Sequence, residues 1–393
     1  SVVLGSATPS LEAYYRAGRG EYRLLQLTKR LTGGELPTVY TVDLRQELQE
    51  GNRSIFSRKL QELMTDRLNK GQQTILFLNR RGYAGFVSCR SCGEVMKCPH
   101  CDVSLSEHKG GRLICHYCGY TQPMPKLCPK CGSKYILGFK AGTQQIEEKL
   151  KELYPGVRTL RMDADTTRTK DSYEKILSSF ANGEADVLIG TQMIVKGHDF
   201  PKVTLVGILA ADLSLNASDY RAGERTFQLL TQAVGRAGRG VLPGEAVIQT
   251  YQPDHYAITC AAAQDYESFY QEEILYRELS GYPPVAHMLA VQIYGKEEEN
   301  VKQLALRLTD VVKSNMDFLS GKQKEQSNKK IQVLGPAPAN ISKINDIYRY
   351  VFYVKHAEYD VLVEVKDRLE ETLRQWQPRQ MSIQFDFDPV SVL

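Results

Sequence analysis

The sequence predicts an α/β fold: a parallel sheet covered on both faces, an inserted two-zinc cysteine-rich segment, and a small α+β domain after it. Three observations predict this. Apolar runs alternate with helical patterns across residues 21–84 and 135–255, as strands joined by crossover helices do. Eight of the nine cysteines stand in four CxxC pairs between Cys89 and Cys131. A second set of strands and helices, differently spaced, starts after residue 262.

Strands are expected at 39–42, 74–78, 157–162, 187–190, 203–209 and 246–250. Several are unbroken apolar runs, as strands buried on both faces should be. Helices are expected at 57–69, 144–153, 173–181 and 225–235. Val2, Val3 and Leu4 read as one more buried strand, so the chain reads as starting in mid-fold. The cysteine segment enters directly after the 74–78 strand, which makes it an insertion within one lobe. Beyond 262 come GYPP at 281–284, a strand at 288–294 and a helix at 297–316. The lysine-rich stretch 320–330 reads as a solvated loop. Strands at 331–334 and 350–354, a helix at 359–375 and a strand at 382–387 complete the domain.

At 393 residues and a net charge of +4, the chain has room for two or three domains. It has no apolar run long enough to span a membrane and no secretory leader pattern. Thiolates held for zinc suit a reducing cytoplasm.

The pairs are Cys89/Cys92, Cys98/Cys101, Cys115/Cys118 and Cys128/Cys131. Two intervening residues let two thiolates converge on one ion. Zinc takes four such ligands, so eight cysteines make two closed sites that fold the segment and leave no open position for catalysis. Three pairings of the pairs exist. The inner two enclose thirteen residues, near a common zinc-ribbon spacing, which favours a nested arrangement with Cys89/Cys92 joining Cys128/Cys131. Sequential pairing is the runner-up. Cys260 is left over as a buried structural thiol.

LLTQAVGRAGR spans 229–239. Arg236 and Arg239, three apart, face the same way on a helix end. Gly235 and Gly238 clear space for a ligand to approach. The planar guanidinium suits phosphate oxygens, and with Gln232 upstream the set reads as a clamp on a terminal phosphate. Residues 186–212 run from an apolar strand into Thr191 and Gln192. Thr191 offers its hydroxyl and backbone amide to a nucleic-acid phosphate. Lys196, Gly197, His198 and Asp199 then form a polar turn. Here Lys196 is either a DNA contact or a solvated charge, and His198 either functional or a loop histidine holding backbone. GSATPS at 5–10 is a motif or simply a helix-capping turn.

Together SATPS at 6–10, LFLNRRGY at 76–83, the eight-cysteine insertion, IGTQMIVKGHDFP at 189–201, QLLTQAVGRAGR at 228–239, GYPP, LGPAPA at 334–339 and the terminal FDFDPVSVL resemble the PriA family of bacterial primosomal helicases, in superfamily 2. The resemblance covers essentially the whole chain. It implies a RecA-like second helicase lobe at 21–261, with the zinc insertion at 86–135, the tail of the first lobe at 1–20 and a C-terminal α+β domain at 262–393. It implies that Gln232, Arg236 and Arg239 sense the nucleotide, that Gly197 and Asp199 face it, and that Thr191, Gln192 and Lys196 hold DNA. The activity implied is ATP-dependent 3′→5′ unwinding in replication restart and primosome assembly, with two zinc ions, and ATP and magnesium in the intact protein. Implied partners are forks, single-stranded DNA, single-strand-binding protein and helicase-loading proteins, near the nucleoid and away from membranes. The family's GTER is replaced by Gly142, Thr143, Gln144 and Gln145, which puts the role of that charged pair in doubt.

The chain has no phosphate loop and no DE-x-H magnesium motif. The family carries both upstream of SATPS, so the expectation is a C-terminal portion inactive alone. A different class stays open: a non-enzymatic, zinc-stapled DNA-binding or adaptor protein. The insertion, with Arg90, Lys97, His100, Lys126, Lys130 and Lys134, either touches duplex DNA as a wedge or docks a protein.

Overall fold

The computed structural model describes residues 2–27, 36–78, 87–101, 103–108, 111–137, 142–163, 166–167, 170–195, 200–217, 219–240, 242–314 and 330–390, with the backbone alone at Leu137, Lys170 and Val195. Lys196, Gly197, His198 and Asp199, residues 79–83 of the LFLNRRGY motif and residues 320–329 lie outside the described set.

The lobe opens with α1 (Leu11–Gly18), β1 (Thr38–Asp43), α2 (Leu44–Gln49), α3 (Arg58–Asn69) and β2 (Gln73–Phe77). The insertion follows as short strands β3 (Ser88–Cys89), β4 (Ser106–His108), β5 (Arg112–Ile114), β6 (Thr121–Pro123) and β7 (Ile136–Leu137). The lobe resumes with α4 (Thr143–Leu153), β8 (Thr159–Met162), α5 (Lys170–Ala181), β9 (Val187–Gly190), β10 (Val203–Ile208), α6 (Asp212–Leu215), α7 (Ala222–Val234), β11 (Glu245–Thr250), α8 (Tyr256–Ala263) and α9 (Tyr266–Ser280). The last domain is β12 (His287–Gly295), α10 (Glu298–Ser314), β13 (Gln332–Ile344), β14 (Ile347–His356), α11 (Tyr359–Trp376) and β15 (Met381–Phe387).

Six lobe strands lie in the order β1-β11-β10-β2-β9-β8, all parallel. Alternate residues of a strand face opposite sides, and both sides of β2 are buried. Ile75 and Phe77 pack with Phe227 and Leu230 of α7, while Leu76 and Leu78 pack with Leu60 and Met64 of α3 and Leu150 of α4. Truncating Phe77 to alanine would cost about 3–5 kcal/mol. Helix α3 starts where Ser57 accepts the Leu60 amide at 3.3 Å, satisfying one of the first-turn donors. The apolar packing extends past the parallel sheet. Leu11 of α1 and Phe269 of α9 belong to the same core as Phe227.

In the last domain the sheet order is β13-β14-β12-β15, all antiparallel. Helices α10 and α11 cover one face through Leu304, Leu308, Leu362 and Leu369. Among the described residues no helix is long and apolar enough to cross a membrane.

Two expectations are corrected. Val2, Val3 and Leu4 form no buried strand; they are 88%, 84% and 76% exposed and pair with no strand among the described residues. The strand expected at 331–334 runs on to Ile344. Gly335, Pro336 and Pro338 masked it, because proline lacks the ladder donor. Strand β13 lies at the sheet edge, where prolines are tolerated, and its register shifts between Leu334 and Ala337.

Candidate functional site

The four cysteine pairs build one turn four times. The first cysteine's amide donates to the carbonyl five residues on: Cys89 to Glu94, Cys98 to Val103, Cys115 to Tyr120 and Cys128 to Ser133, at 2.7–2.8 Å. Three of these knuckles place glycine after the second cysteine, at φ of +77° for Gly93, +76° for Gly119 and +70° for Gly132, where a side chain would be strained. Knuckles one and four bring together Cys89, Cys92, Cys128 and Cys131; knuckles two and three bring together Cys98, Cys101, Cys115 and Cys118. The arrangement is nested. Sulfurs approach to 3.6 Å (Cys89–Cys131), 3.7 Å (Cys92–Cys128) and 3.5 Å (Cys98–Cys118). Four sulfurs at about 2.3 Å from one zinc stand roughly 3.8 Å apart, so the donor set fits that ion. Side-chain hydrogen bonds from Cys101 and then Cys115 lower the pKa of the Cys118 thiol, while those of Cys98, Cys101 and Cys115 in the same set are raised; a bound zinc would hold all four as thiolates. Cys260 is apart from both clusters, half-buried against the lobe core.

The insertion is fastened on two sides. Towards the lobe, the Arg45 guanidinium donates to the Cys92 carbonyl at 3.5 Å, and Arg90 lies 4.8 Å over the Tyr251 ring. A Cβ on Gly93 would stand 2.5 Å from the Tyr251 carbonyl oxygen. Tyr117 accepts the Tyr220 amide at 3.1 Å, and the Tyr220 ring stacks on Tyr282 at 4.6 Å. Towards the last domain, His116 Nδ1 donates to the Pro338 carbonyl at 3.1 Å, which leaves its Nε2 to accept from His108 at 3.0 Å. Met288, Ala290, Val351 and Tyr353 pack against the same cysteine-lined core.

The residues expected to meet nucleotide and DNA divide between the two edges of the parallel sheet. Thr191 follows β9 at its C-terminal edge and Gln192 opens a short 3₁₀ turn. The expectation for Thr191 is corrected in part: its amide donates to the Met162 carbonyl at 3.3 Å. Only the hydroxyl is left for a phosphate. Nearby, Asp163 accepts the Thr143 hydroxyl and the Thr166 amide.

Gln232, Arg236 and Arg239 lie at the opposite edge. Helix α7 ends at Val234 with Gly235 as its C-cap, so both arginines follow the helix in tight turns. Gly238, at φ +69°, donates its amide to the Val203 carbonyl at 3.0 Å. A Cβ there would stand 2.4 Å from the Gly244 nitrogen, and one on Gly240 would stand 2.5 Å from the Pro201 carbonyl oxygen. Gly238 therefore makes room for the chain's own backbone, not for a ligand as expected. Arg239 is exposed, its Nε donating to the Gly235 carbonyl at 2.8 Å. The turn thus lies beside Pro201, two residues past Asp199.

Sequence reasoning missed a buried charge joint at the head of α7. Glu224 accepts the Leu11 amide at 2.9 Å and meets Arg277 at 3.2 Å. Arg277 also pairs with Glu273 at 2.7 Å, both fully buried. Arg221 pairs with Glu12. The joint ties α1, α7 and α9 together, and burial raises the Glu224 pKa. Its only local signal is charge at i,i+3 and i,i+4 on otherwise apolar helix faces. Removing one partner would leave a buried charge uncompensated, at a cost of about 3–5 kcal/mol.

A parallel lobe with an arginine turn, a cysteine-rich insertion with two four-thiolate clusters and an antiparallel last domain define a helicase C-terminal lobe of a zinc-binding type. Family models agree in detail: the PriA DNA helicase Cys-rich region matches residues 98–123, the helicase conserved C-terminal domain 127–241, and the primosomal protein N C-terminal domain 278–390. Replication restart protein PriA of Bacillus subtilis is 45% identical over 394 residues, covering 100% of this chain and 48% of its own length. Those of Synechocystis and Chlamydia muridarum are each 41% identical, covering 100% and 90% of this chain and 46% of their own lengths. The chain belongs to the PriA replication restart family. It spans about half the length of the curated relatives it matches.

Proposed function

We propose that this chain is the second-lobe half of an ATP-driven DNA helicase that unwinds 3′→5′ in replication restart and primosome assembly. The observation that carries the reading is the arginine turn, locked by Gly238 and held against Pro201 at the sheet edge away from Thr191. On this reading two functions would sit on two edges. Arg236 and Arg239 would stabilise charge developing on a transferred phosphoryl group, with Gln232, Gly197 and Asp199 beside the nucleotide. Thr191, through its hydroxyl, with Gln192 and Lys196 would hold a single strand by its backbone and so without regard to sequence.

ATP hydrolysis supplies the free energy, and the resemblance assigns the phosphate loop and magnesium carboxylates to sequence outside this chain. Each cysteine cluster would hold one zinc, two per chain. Fork DNA, single-strand-binding protein and helicase-loading proteins are the partners the family membership supports. The test compares this chain with the same chain joined to a phosphate-loop lobe. The joined protein should show DNA-stimulated ATPase and 3′→5′ unwinding, and this chain alone only background. Substantial ATPase from the chain alone, or none from the joined protein, would overturn the reading.

A further inference from the structure

We propose that the two clusters hold zinc on different terms: the inner one is a permanent fastener, and the outer one exchanges its zinc at Cys131. The proposal rests on the reading that both clusters bind zinc.

The clusters differ in what must move for a sulfur to let go. In the inner cluster Cys98, Cys101 and Cys115 are buried and Cys118 is half-buried. Its third knuckle holds Tyr117, which is 1% exposed. Opening that knuckle would break the Tyr117–Tyr220 hydrogen bond, the edge contact of Tyr117 with Tyr353 at 5.1 Å, and the His116–Pro338 hydrogen bond. The second knuckle's neighbour Ser104 donates to the Asn216 carbonyl of the lobe. Opening this cluster to release zinc would loosen the insertion from both the lobe and the last domain.

In the outer cluster Cys131 is exposed and Cys92 half-buried, while Cys89 and Cys128 are buried. Its fourth knuckle meets water broadly, with Leu127 58% and Tyr135 51% exposed. Among the described residues, polar contacts join it to the first knuckle, within the insertion. They are Ser91–Ser133 at 2.8 Å, the Arg90 amide to the Tyr135 carbonyl at 2.8 Å, and Lys130–Glu94 at 3.3 Å. The first knuckle stays bolted to the lobe through Arg45 and Tyr251. The fourth can therefore open locally at its Cys131 side, with Cys128 and Ile136 still seated in the shared core and the rest folded. Lys126, Lys130 and Lys134 on this knuckle would favour an anionic acceptor approaching the exposed Cys131 sulfur.

The experiment uses the zinc-loaded chain with excess EDTA, following released zinc by a colorimetric indicator and amide protection by mass spectrometry. Two phases are expected, one zinc each, the first at least tenfold faster. Protection in β12 and β14 should survive the first phase and fall only with the second. Cys131→Ser should hold one zinc and show the slow phase alone. Release of both zincs at one rate, loss of β12 and β14 protection in the first phase, or a Cys131→Ser variant lacking the slow phase would overturn the proposal. A chain holding fewer than two zincs at the outset overturns the two-zinc reading, and this one with it.

Discussion

Thr191 shows how a single residue's role narrows once its partners are known. With the amide engaged by Met162, one hydroxyl remains. Thr191→Val should weaken single-strand binding by about 1 kcal/mol, one lost hydrogen bond, with the melting temperature unchanged; a lower melting temperature with unchanged affinity would leave Thr191 as a turn cap. In the joined protein Arg239→Ala should lower ATP turnover by roughly 10³-fold while ATP binding changes much less; turnover at the wild-type rate would refute its role. His255 carries a pH dependence. Its Nδ1 accepts the Ala257 amide at 3.2 Å, capping α8, and burial followed by the Lys97 charge pushes its pKa down to about 4. The unfolded imidazole takes its proton near 6.5. Between those values the unfolded state binds more protons, so this stability is fully present above about pH 6.5 and is lost as pH falls towards 4. The loss by pH 5 is about 2 kcal/mol. His255→Asn keeps a cap without a titrating group, so the difference in urea midpoint between pH 7 and pH 5 should shrink. An equal difference in both proteins would clear His255 of the effect. What the sequence could convey at this scale was chemical type. Which atom of Thr191 is engaged, and that Gly238 serves Gly244, depend on residues brought near by the fold.

At the scale of elements, periodicity carried far because it is local. The strands at β1, β2, β9, β10 and β11 and helices α3, α4, α5 and α7 fall where the apolar pattern puts them, within a few residues. Strand β13 was cut short because prolines at a tolerant edge look the same as prolines that end a strand. The knuckles were legible from spacing and glycine alone; the thirteen-residue gap favoured nesting but left sequential pairing open, because which pairs meet depends on the fold. The buried joint was not, since Glu12, Glu224 and Arg277 are far apart in the chain. The arginine turn makes its own prediction. Gly238→Ala forces a side chain at φ +69° into the Gly244 backbone. The expected cost is roughly 2–4 kcal/mol, measured by urea unfolding; a loss under about 0.5 kcal/mol would mean the turn relaxes freely.

For the molecule as a whole, parallel lobe, zinc insertion and last domain share one cysteine- and tyrosine-lined core. Elemental analysis should return about two zincs per chain. Cys101→Ser should lose one and loosen the last domain, since its cluster packs against Met288 and Tyr353. An unaltered zinc count in that variant would exclude Cys101 as a ligand. Helix α7 has the buried joint at its head and the arginine turn at its foot. Its 13 residues make a rod about 20 Å long. Because Leu11 of α1 is pinned to that head, a tilt of roughly 5° imparted there becomes a sweep of about 1.7 Å at the foot. Displacements of about 1 Å in a reacting geometry can cost two orders of magnitude in rate. If Arg236 and Arg239 act as proposed, the helix is a lever arm: a small angular movement at its head would reach them as a displacement of that size.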